Sequence, residues 1–326
     1  MIESPDVNIQ ILIEKCLMES PCEVTIRCNE AMSEHTTFKI GGPADYWIAP
    51  DGEGFYSFCV TLLNNAKAAS IPVFILGGGA NIVVSDKGIR GIVLDMCAWN
   101  GESVWSLCTG EDELVLKSGT SIDEAADTAL ASGLSGLEYL AGMPGSIGGA
   151  VWMNARCYGS EVSDNLSWAE IISINKGESE YSVKRINNGK GVGFGYKKSP
   201  FQEMDCLILS AAFQLKKGNK EEILLKMEEN RQDRQEKGHY LFPCAGSAFK
   251  NNRDFGKPTG QIIDELGLKG LKKGGAQIAP FHGNIIINTG NASANDVYEL
   301  VNEITSCVKQ KTGFILEPEI IFAGDW

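Results

Sequence analysis

Apolar side chains near the start of the chain recur at the spacing of a helix. Ile9, Leu12, Ile13, Cys16 and Leu17 fall on one face when the sequence is wound at about 3.6 residues per turn. This pattern predicts an amphipathic N-terminal helix. We expect its apolar face to pack against a core and not to enter a membrane.

The same periodicities divide the rest of the chain into helices and strands. Helices are predicted over residues 55–69, 121–132, 220–237, 260–267 and 294–312. Strands are predicted at 36–43, where the strand ends in a turn, and at 73–76, 82–84, 91–94, 114–117, 168–174, 206–215, 285–288 and 314–322. The strands at 82–84 and 91–94 are expected to form a pair. Residues 133–149 are glycine-rich and are predicted to be mostly irregular. Because strands and helices mix without regular βαβ alternation, the pattern favours an α+β fold.

Length and charge narrow the class of protein. The 326 residues are more than a single core usually serves, so two or three domains are expected. The 29 basic and 42 acidic residues give a formal net charge of −13, which disfavours binding to nucleic acid or to an anionic membrane.

Targeting signals and metal-ligand patterns are missing from the sequence. No segment has the length and apolarity of a membrane span, and residues 1–8 lack the basic start of a secretory signal, so a cytoplasmic protein is expected. The ten cysteines include no CxxC pair and are expected to be reduced thiols. His35, His239 and His282 are expected to be structural, and no metal site is predicted.

Two glycine-rich loops carry the first sign of function. Residues 77–79 are three glycines after a buried strand, and residues 141–150 hold four glycines, a proline and a serine. Without Cβ atoms, backbone N–H groups can approach an anion closely. The first loop alone is better explained by a tight strand–strand turn, and it lacks the G-x-G-x-x-G pattern of a Rossmann helix. Two such loops together predict a nucleotide or dinucleotide site.

A series of short motifs then becomes recognisable. The motifs lie at residues 37–45, 76–81, 136–138, 144–150, 153–155, 194–196, 245–251, 269–277 and 316–319. In their order and their residues they resemble the UDP-N-acetylenolpyruvoylglucosamine reductase (MurB) family between residues 33 and 323. The short gap between Tyr196 and Ser247 resembles the subgroup that lacks an inserted tyrosine loop.

The resemblance implies a domain organisation. It implies a two-part FAD-binding domain of the PCMH or vanillyl-alcohol-oxidase type, followed by an α+β substrate-binding domain. We assign residues 1–96 to the first FAD-binding subdomain, 97–236 to the second and 237–314 to the substrate-binding domain. The tail, residues 315–326, is expected to return to the first subdomain.

The resemblance also implies a reaction. NADPH would reduce non-covalently bound FAD, and the flavin would pass hydride to the enolpyruvyl group of UDP-N-acetylglucosamine enolpyruvate. A serine hydroxyl would protonate the neighbouring carbon, which gives UDP-N-acetylmuramate for peptidoglycan synthesis. The expected partners are therefore small molecules, the UDP-sugar and NADPH, and the protein is expected to be a monomer.

Individual positions acquire roles from the same resemblance. The implied catalytic residues are Ser247 as proton donor, Glu319 as the acid that stabilises the enol, and Lys197 as a support for developing charge. The implied substrate-binding residues are Tyr196, Lys250, Asn251 and Gln277. The cofactor-binding residues are Gly77, Gly78, Gly79, Ala80, Asn81, Ile82, Gly142, Pro144, Gly145, Ser146, Gly148, Gly149, Ala150 and Asn154.

Some positions leave alternatives open. Lys197 stands where the family has arginine. Arg156 stands where the family has a small residue, and it either affects the flavin region, replaces lost positive charge or is a tolerated loop change. Lys250 either faces the diphosphate or is solvated. Glu317 and Glu319 share one face of the predicted strand, so only the family pattern favours Glu319.

Two other functions fit parts of the sequence. A different FAD oxidoreductase of the same flavin-domain class would keep the glycine loops but not the contexts of Ser247 and Glu319. A non-catalytic UDP-sugar-binding relative is supported only by the departures at Lys197 and Arg156.

Overall fold

The computed structural model describes residues 5–100, 104–108, 111–174, 178–189 and 191–326. The helices are α1 (Pro5–Glu19), α2 (Phe55–Ala68), α3 (Ile122–Ala131), α4 (Ile147–Met153), α5 (Val162–Asn165), α6 (Lys220–Glu236), α7 (Thr259–Glu265) and α8 (Ala294–Thr312). In these ranges no helix has the length and apolarity needed to cross a membrane.

The strands form both long and very short elements. They are β1 (Glu23–Ala31), β2 (Pro43–Asp51), β3 (Val73–Leu76), β4 (Ile82–Val84), β5 (Ile89–Asp95), β6 (Val104–Cys108), β7 (Glu111–Lys117), β8 (Leu134–Ser135), β9 (Arg156–Cys157), β10 (Ser160–Glu161), β11 (Leu166–Ser173), β12 (Ser182–Asn187), β13 (Cys206–Lys217), β14 (Cys244–Ser247), β15 (Lys272–Lys273), β16 (Ala276–Ile278), β17 (Ile285–Asn288) and β18 (Ile321–Ala323). The mixture of helices and strands confirms the predicted α+β class.

The chain divides into two compact units, and the first contains residues 1–28, 45–78 and 91–231. Its larger core joins helices α3 and α4 to the antiparallel sheet β12-β11-β13-β7-β6. Strand β13 pairs with β11 and β7 along its two edges. It is buried along most of its length because its side chains enter two cores, Ile208 and Phe213 this one and Leu209 the second core of the same unit.

A second core in the first unit lies between α1, α2 and the sheet β1-β2-β5-β3. Ile9, Leu12, Ile13 and Cys16 are buried there, which confirms the predicted N-terminal helix and its packing role. Burying these side chains stabilises the unit because apolar surface leaves water.

The second unit contains residues 29–44, 79–90 and 232–326. Its core lies between helices α7 and α8, the antiparallel sheet β14-β17-β16-β15 and the parallel pair β18-β4. Helix α8 has the predicted bounds, and its buried face consists of Ala294, Val297, Leu300, Val301, Ile304 and Val308. The tail that contains β18 therefore pairs with a strand that lies within residues 1–96.

The predicted strand at residues 36–43 is wrong. Met32–His35 form a turn of 3-10 helix, and β2 begins only at Pro43. Between them the Thr36 hydroxyl donates to the Ile40 carbonyl at 3.0 Å, and Lys39 has a φ of 56°. A hydroxyl-closed turn therefore replaces the extended chain that the apolar alternation predicted.

Two further strand predictions need correction. Strands β4 and β5 follow each other in sequence but do not pair, since β4 pairs with β18 and β5 pairs with β3. Of the predicted strand 314–322, only Ile321 and Phe322 are regular strand, as the first two residues of β18, and Pro318 makes an isolated bridge. Short strands depend on distant partners, so local sequence is a weak guide to them.

Helix α8 begins at a set of carboxylate caps. The Asp296 carboxylate accepts from Ser293 N at 2.9 Å and from Gly275 N at 3.1 Å, while Ser293 Oγ accepts from Asp296 N. Partial burial would raise the pKa of Asp296, but the N–H donors of Ser293 and Gly275 outweigh it, and the pKa is lowered.

The lowered pKa of Asp296 predicts a pH-dependent contribution to stability. We expect Asp296→Asn to reduce the free energy of unfolding by about 1 kcal/mol at pH 7. This difference in the free energy of unfolding should shrink as the pH falls through the lowered pKa of the folded state. The parent carboxylate is then protonated and, like the asparagine, carries no charge. Thermal unfolding from pH 7 down to the onset of acid denaturation measures the difference.

Glu303→Gln is the matched control for that measurement. Glu303 lies on the same helix in an exposed ion pair with Lys273 at 3.3 Å, so its loss should cost less than about 0.5 kcal/mol. A deficit of Asp296→Asn that stays constant down to the lowest pH would contradict the role of the charged cap.

Candidate active site

The two glycine-rich loops pack directly against each other in the first unit. Gly78 N donates to Ser146 Oγ at 3.2 Å. A Cβ added to Gly77 would stand 2.5 Å from Ser146 Oγ, and one added to Gly78 would stand 2.7 Å from the Gly145 Cα. The contact between the loops therefore requires glycine at both positions. This glycine-lined cradle fits the diphosphate-binding role that the sequence predicts.

The sequence predicts that the second loop is mostly irregular. In the structure, helix α4 begins inside it. Ser146 caps the helix by accepting from Gly149 N at 3.4 Å. Gly148, Gly149 and Ala150 consequently lie in the first turn of α4. The serine at the N-cap and the buried Ile147 override the low helix propensity of two glycines.

Residues 118–122 form a strip that backs the second loop. Gly148 N donates to Ser118 O at 2.7 Å, Ile147 N donates to Thr120 O at 2.9 Å, and Ile122 N donates to Gly145 O at 3.1 Å. Sequence analysis missed this strip, because a serine or threonine ahead of a helix usually signals only a cap.

The start of the second loop is held by a carboxylate. Gly142, with a φ of 74°, donates its N–H to Asp123 Oδ1 at 2.7 Å. Arg231 Nη2 donates to the same Asp123 oxygen at 2.7 Å. Asp123 and Arg231 therefore position the start of the loop. Pro144, a predicted cofactor-binding residue within the loop, is exposed.

The first loop continues into the second unit, where it is anchored on both sides. A Cβ on Gly79 would stand 2.1 Å from the His35 carbonyl oxygen, and Thr37 N donates to Gly79 O at 3.1 Å. Asn81 Nδ2 donates to the Glu319 carbonyl at 3.1 Å. Ala80 and Ile82 are partly buried within the same stretch.

Ser247 and Glu319 come from distant parts of the sequence and lie on adjacent segments of the second unit. Glu319 N donates to the carbonyl of Ala248, the residue after Ser247, at 2.8 Å. Both Ser247 and Glu319 are partly buried. The buried Asn284 fixes the next residue, since its side chain accepts from Phe249 N at 3.0 Å and donates to Phe249 O at 2.8 Å. Sequence analysis did not single out Asn284.

Glu317 and Glu319, which the sequence alone does not distinguish, have different environments in the structure. Residues 314–320 are not a regular strand, so the period-two argument that placed Glu317 and Glu319 on one strand face is wrong. Glu317 is exposed, and its carboxylate forms an ion pair with the Lys250 ammonium. Glu319 is more buried and lies beside the Ser247 segment, as described above.

The other implied substrate-binding residues of the second unit make internal contacts. Asn251 Oδ1 accepts from Thr259 N at 2.8 Å, which holds the start of α7. Gln277 on β16 donates to the Gly270 carbonyl at 3.0 Å. These bonds fix both side chains.

Tyr196 and Lys197 form the tip of a tight turn in the first unit. Gly195 and Lys198 exchange backbone hydrogen bonds of 3.0 Å in both directions. Lys197 has a φ of 54°, a left-handed conformation that is unusual for a residue with a Cβ. The Arg156 guanidinium lies 5.7 Å from the centre of the exposed Tyr196 ring.

Asn154 ties this turn to the end of α4. It is fully buried, and its Nδ2 donates to Gly195 O at 2.9 Å and to Glu161 Oε1 at 3.2 Å. Both amide hydrogens are thus engaged within the protein, so a cofactor contact would have to use other atoms of Asn154. Arg156 pairs with Glu161 at 3.3 Å, which favours the interpretation of Arg156 as a tolerated loop change.

Two histidines of the second unit, His239 and His282, lie close together, with ring centres 6.0 Å apart. Burial lowers the pKa of His239 to about 4, with Arg234 and His282 adding to the shift. Burial also lowers the pKa of His282, whose Nδ1 accepts from Asn284 N at 3.2 Å. Neutral imidazoles at pH 7 are consistent with the structural roles that the sequence predicts.

Comparison with known proteins gives the family. A family model described as UDP-N-acetylenolpyruvoylglucosamine reductase, C-terminal domain, matches residues 236–323, and one described as FAD binding domain matches residues 59–180. The UDP-N-acetylenolpyruvoylglucosamine reductase of Treponema denticola is 42% identical over 93% of this chain and 95% of its own. That of Caldanaerobacter subterraneus subsp. tengcongensis is 39% identical over 97% of this chain and 99% of its own.

A solved structure agrees with these matches. The crystal structure of the Thermus caldophilus enzyme of the same name has a TM-score of 0.73 and 31% identity, and the match covers 92% of this chain and 99% of that one. The fold predicted from the motifs, with its FAD-binding domain, is thereby confirmed. The chain therefore belongs to the UDP-N-acetylenolpyruvoylglucosamine reductase family and is an FAD-containing oxidoreductase.

Proposed function

We propose that this chain reduces UDP-N-acetylglucosamine enolpyruvate to UDP-N-acetylmuramate, with NADPH as reductant and bound FAD as hydride carrier. Identity of about 40% over nearly the whole chain argues against a different FAD oxidoreductase. The observation that carries the proposal is the hydrogen bond from Glu319 N to Ala248 O, which sets the Ser247 and Glu319 segments side by side. A monomeric state and a cytoplasmic location stay predictions of the sequence.

FAD, when bound, would supply the redox chemistry by accepting hydride from NADPH and giving it to the terminal alkene carbon of the substrate. The residues suited to hold its diphosphate are those of the two packed glycine loops in the first unit. The close packing of the loops requires glycine at residues 77 and 78, because Cβ atoms there would collide with the neighbouring loop, and both glycines remain partly exposed. An acidic chain can bind an anion through loop N–H groups instead of through many basic side chains. Here these would be groups other than the N–H of Gly78, Gly142 and Gly148, which donate within the protein.

Ser247 is proposed to donate the proton that completes the reduction. Hydride on the terminal carbon leaves negative charge on the neighbouring carbon and its carboxylate, and the Ser247 hydroxyl gives its proton to that carbon. Support for this role comes from the restraint on its segment, where Asn284 clamps Phe249 through two hydrogen bonds. Glu319 is proposed to stabilise the enol, and its segment is held by hydrogen bonds to Ala248 and Asn81.

Lys197 is proposed to support the charge that develops on the substrate carboxylate. A lysine presents a point charge, whereas the arginine of the family motif offers two parallel N–H donors. The left-handed backbone at Lys197 fixes where its side chain leaves the turn. Lys250, Asn251, Gln277 and Tyr196 are proposed to contact the UDP-sugar.

The glycine loops generate a prediction that separates fold from cofactor binding. A Cβ at Gly149 would meet only Ser146 Oγ at 3.5 Å, so Gly149→Ala should leave the stability of the apoprotein unchanged or raised. If FAD approaches this backbone, the same Cβ should lower FAD affinity at least tenfold. Gly78→Ala, by contrast, should lower both the stability of the apoprotein and its FAD affinity, because its Cβ meets the Gly145 backbone.

Fluorescence titration of apoprotein with FAD measures the affinity, and thermal unfolding measures the stability. Gly189→Ala is the control, since an added Cβ there meets nothing within 4 Å. Parent-like FAD affinity in Gly149→Ala would remove Gly149 from the cofactor site.

The proposed proton donor predicts a selective kinetic defect. Ser247→Ala should leave flavin reduction by NADPH nearly intact and slow flavin reoxidation by the enolpyruvyl substrate by ~10²-fold or more. Stopped-flow absorbance of the flavin separates the two half-reactions. Equal slowing of both, or of neither, would remove Ser247 from the proposed role.

The two glutamates provide a matched pair for the same assay. Glu319→Gln should slow only the reoxidation step, whereas Glu317→Gln should have little effect because Glu317 is exposed and paired with Lys250. If Glu317→Gln slowed reoxidation and Glu319→Gln did not, the proposed roles of the two residues would be exchanged.

The turn at Lys197 predicts a graded series of activities. Lys197→Arg should raise turnover, and Lys197→Ala should lower it at least tenfold, about 1.4 kcal/mol in the activation barrier. The three side chains share the same positive-φ backbone, so their comparison is matched for strain. Steady-state turnover with NADPH at equal flavin occupancy is the measurement.

Lys198→Ala is the control for that series, because Lys198 is exposed and its ammonium pairs with Glu203 at 2.8 Å. Lys197→Gly should be at least as stable as the parent, since glycine relieves the positive φ, yet remain slow. Parent-like turnover of Lys197→Ala would place Lys197 away from the reacting centre.

A further inference from the structure

Two buried hydroxyl groups on the strip behind the second glycine loop have no partner within the described protein. Ser118 is 1% exposed and Thr120 is 2% exposed, and neither Oγ nor Oγ1 makes a hydrogen bond to a described protein atom. Most buried polar side-chain atoms in proteins are hydrogen-bonded, and leaving one unsatisfied is costly. These two hydroxyls therefore need an explanation.

The backbone of the strip does not need those hydroxyls. The carbonyls of Ser118 and Thr120 accept from Gly148 N and Ile147 N, and these bonds would survive replacement of either side chain. Ser118 N is also paired, since it donates to Leu209 O at 3.0 Å. Alanine and valine would fill the two positions without burying a polar atom, so protein stability alone gives no reason for serine and threonine.

The location of the hydroxyls connects them to the cofactor loop. A Cβ added to Gly148 would stand 2.9 Å from the Ser118 Cβ, so the Ser118 side chain lies directly against the loop. Thr120 lies next to Ser121, which forms a bridge with Ser146, the serine that also contacts Gly78. The unsatisfied groups thus adjoin the place where the two glycine loops meet.

We propose that the Ser118 and Thr120 hydroxyls hydrogen-bond bound FAD, as a third element of its site beside the two glycine loops. A hydroxyl can donate to a phosphate, ribityl or ring acceptor and can also accept, so either group suits a ligand rich in oxygen and nitrogen. This inference rests on the FAD-binding role proposed above and adds two positions that the motifs did not include.

The test measures FAD affinity and apoprotein stability in the same variants. Ser118→Ala and Thr120→Val should each weaken FAD binding about fivefold, and the double variant should weaken it more than either. The apoprotein of each variant should melt at the parent temperature or above it, because an unsatisfied buried hydroxyl has been removed. Thr120→Ser, which keeps the hydroxyl, should bind FAD within about twofold of the parent.

Ser210→Ala provides the opposite outcome as a control. Ser210 is buried at 6% exposure on β13 and lies opposite Lys117, but its hydroxyl bonds with Tyr56 inside the protein. Its loss should lower the melting temperature of the apoprotein and leave FAD affinity unchanged.

The possible results distinguish a protein that does not bind FAD from one that binds FAD without using these hydroxyls. A parent protein that binds no FAD would overturn the proposed function itself. A parent that binds FAD, with a folded double variant that binds it equally well, would overturn only this inference and assign the hydroxyls to buried water. Affinity loss that merely follows a lower apoprotein melting temperature would also overturn it.

Discussion

The close approach of two backbone segments is the constraint on which the rest of the first unit depends. Gly77 and Gly78 lie so near Gly145 and Ser146 that a Cβ on either would overlap the opposite loop. The contact requires glycine at residues 77 and 78, and the second loop is supported from behind. Residues 118–122 supply that support through backbone hydrogen bonds, and α4 starts within the loop.

The second unit uses side-chain amides for a similar purpose. Asn284, buried between strands, holds Phe249 at both its N–H and its carbonyl, and Asn81 holds the Glu319 carbonyl. The peptides around Ser247 and Glu319 are thus fixed by bonds that do not involve the proposed catalytic side chains. Such support keeps the backbone of both segments in place.

The sequence was a good guide where one face of an element meets a core and a poor one where a turn competes with extended chain. Helix α8 was predicted with its observed bounds because its apolar positions keep helical spacing. The segment 36–43 alternates like a strand, but the Thr36 hydroxyl closes it into a turn. Residues 314–320 also look extended and alternating, yet their hydrogen bonds go to isolated partners such as Ala248.

The sequence by itself determined the family, the α+β class, the two glycine loops and the positions that correspond to its motifs, because these are properties of residue type and order. Only the tertiary structure decided that Ser146 touches Gly78, that Glu317 pairs with Lys250 while Glu319 adjoins the Ser247 segment, and that 118–122 backs the second loop. Each of these contacts joins residues far apart in the chain. Hydrogen bonding and exclusion of Cβ atoms act through space, and neither leaves a periodic trace in the local sequence.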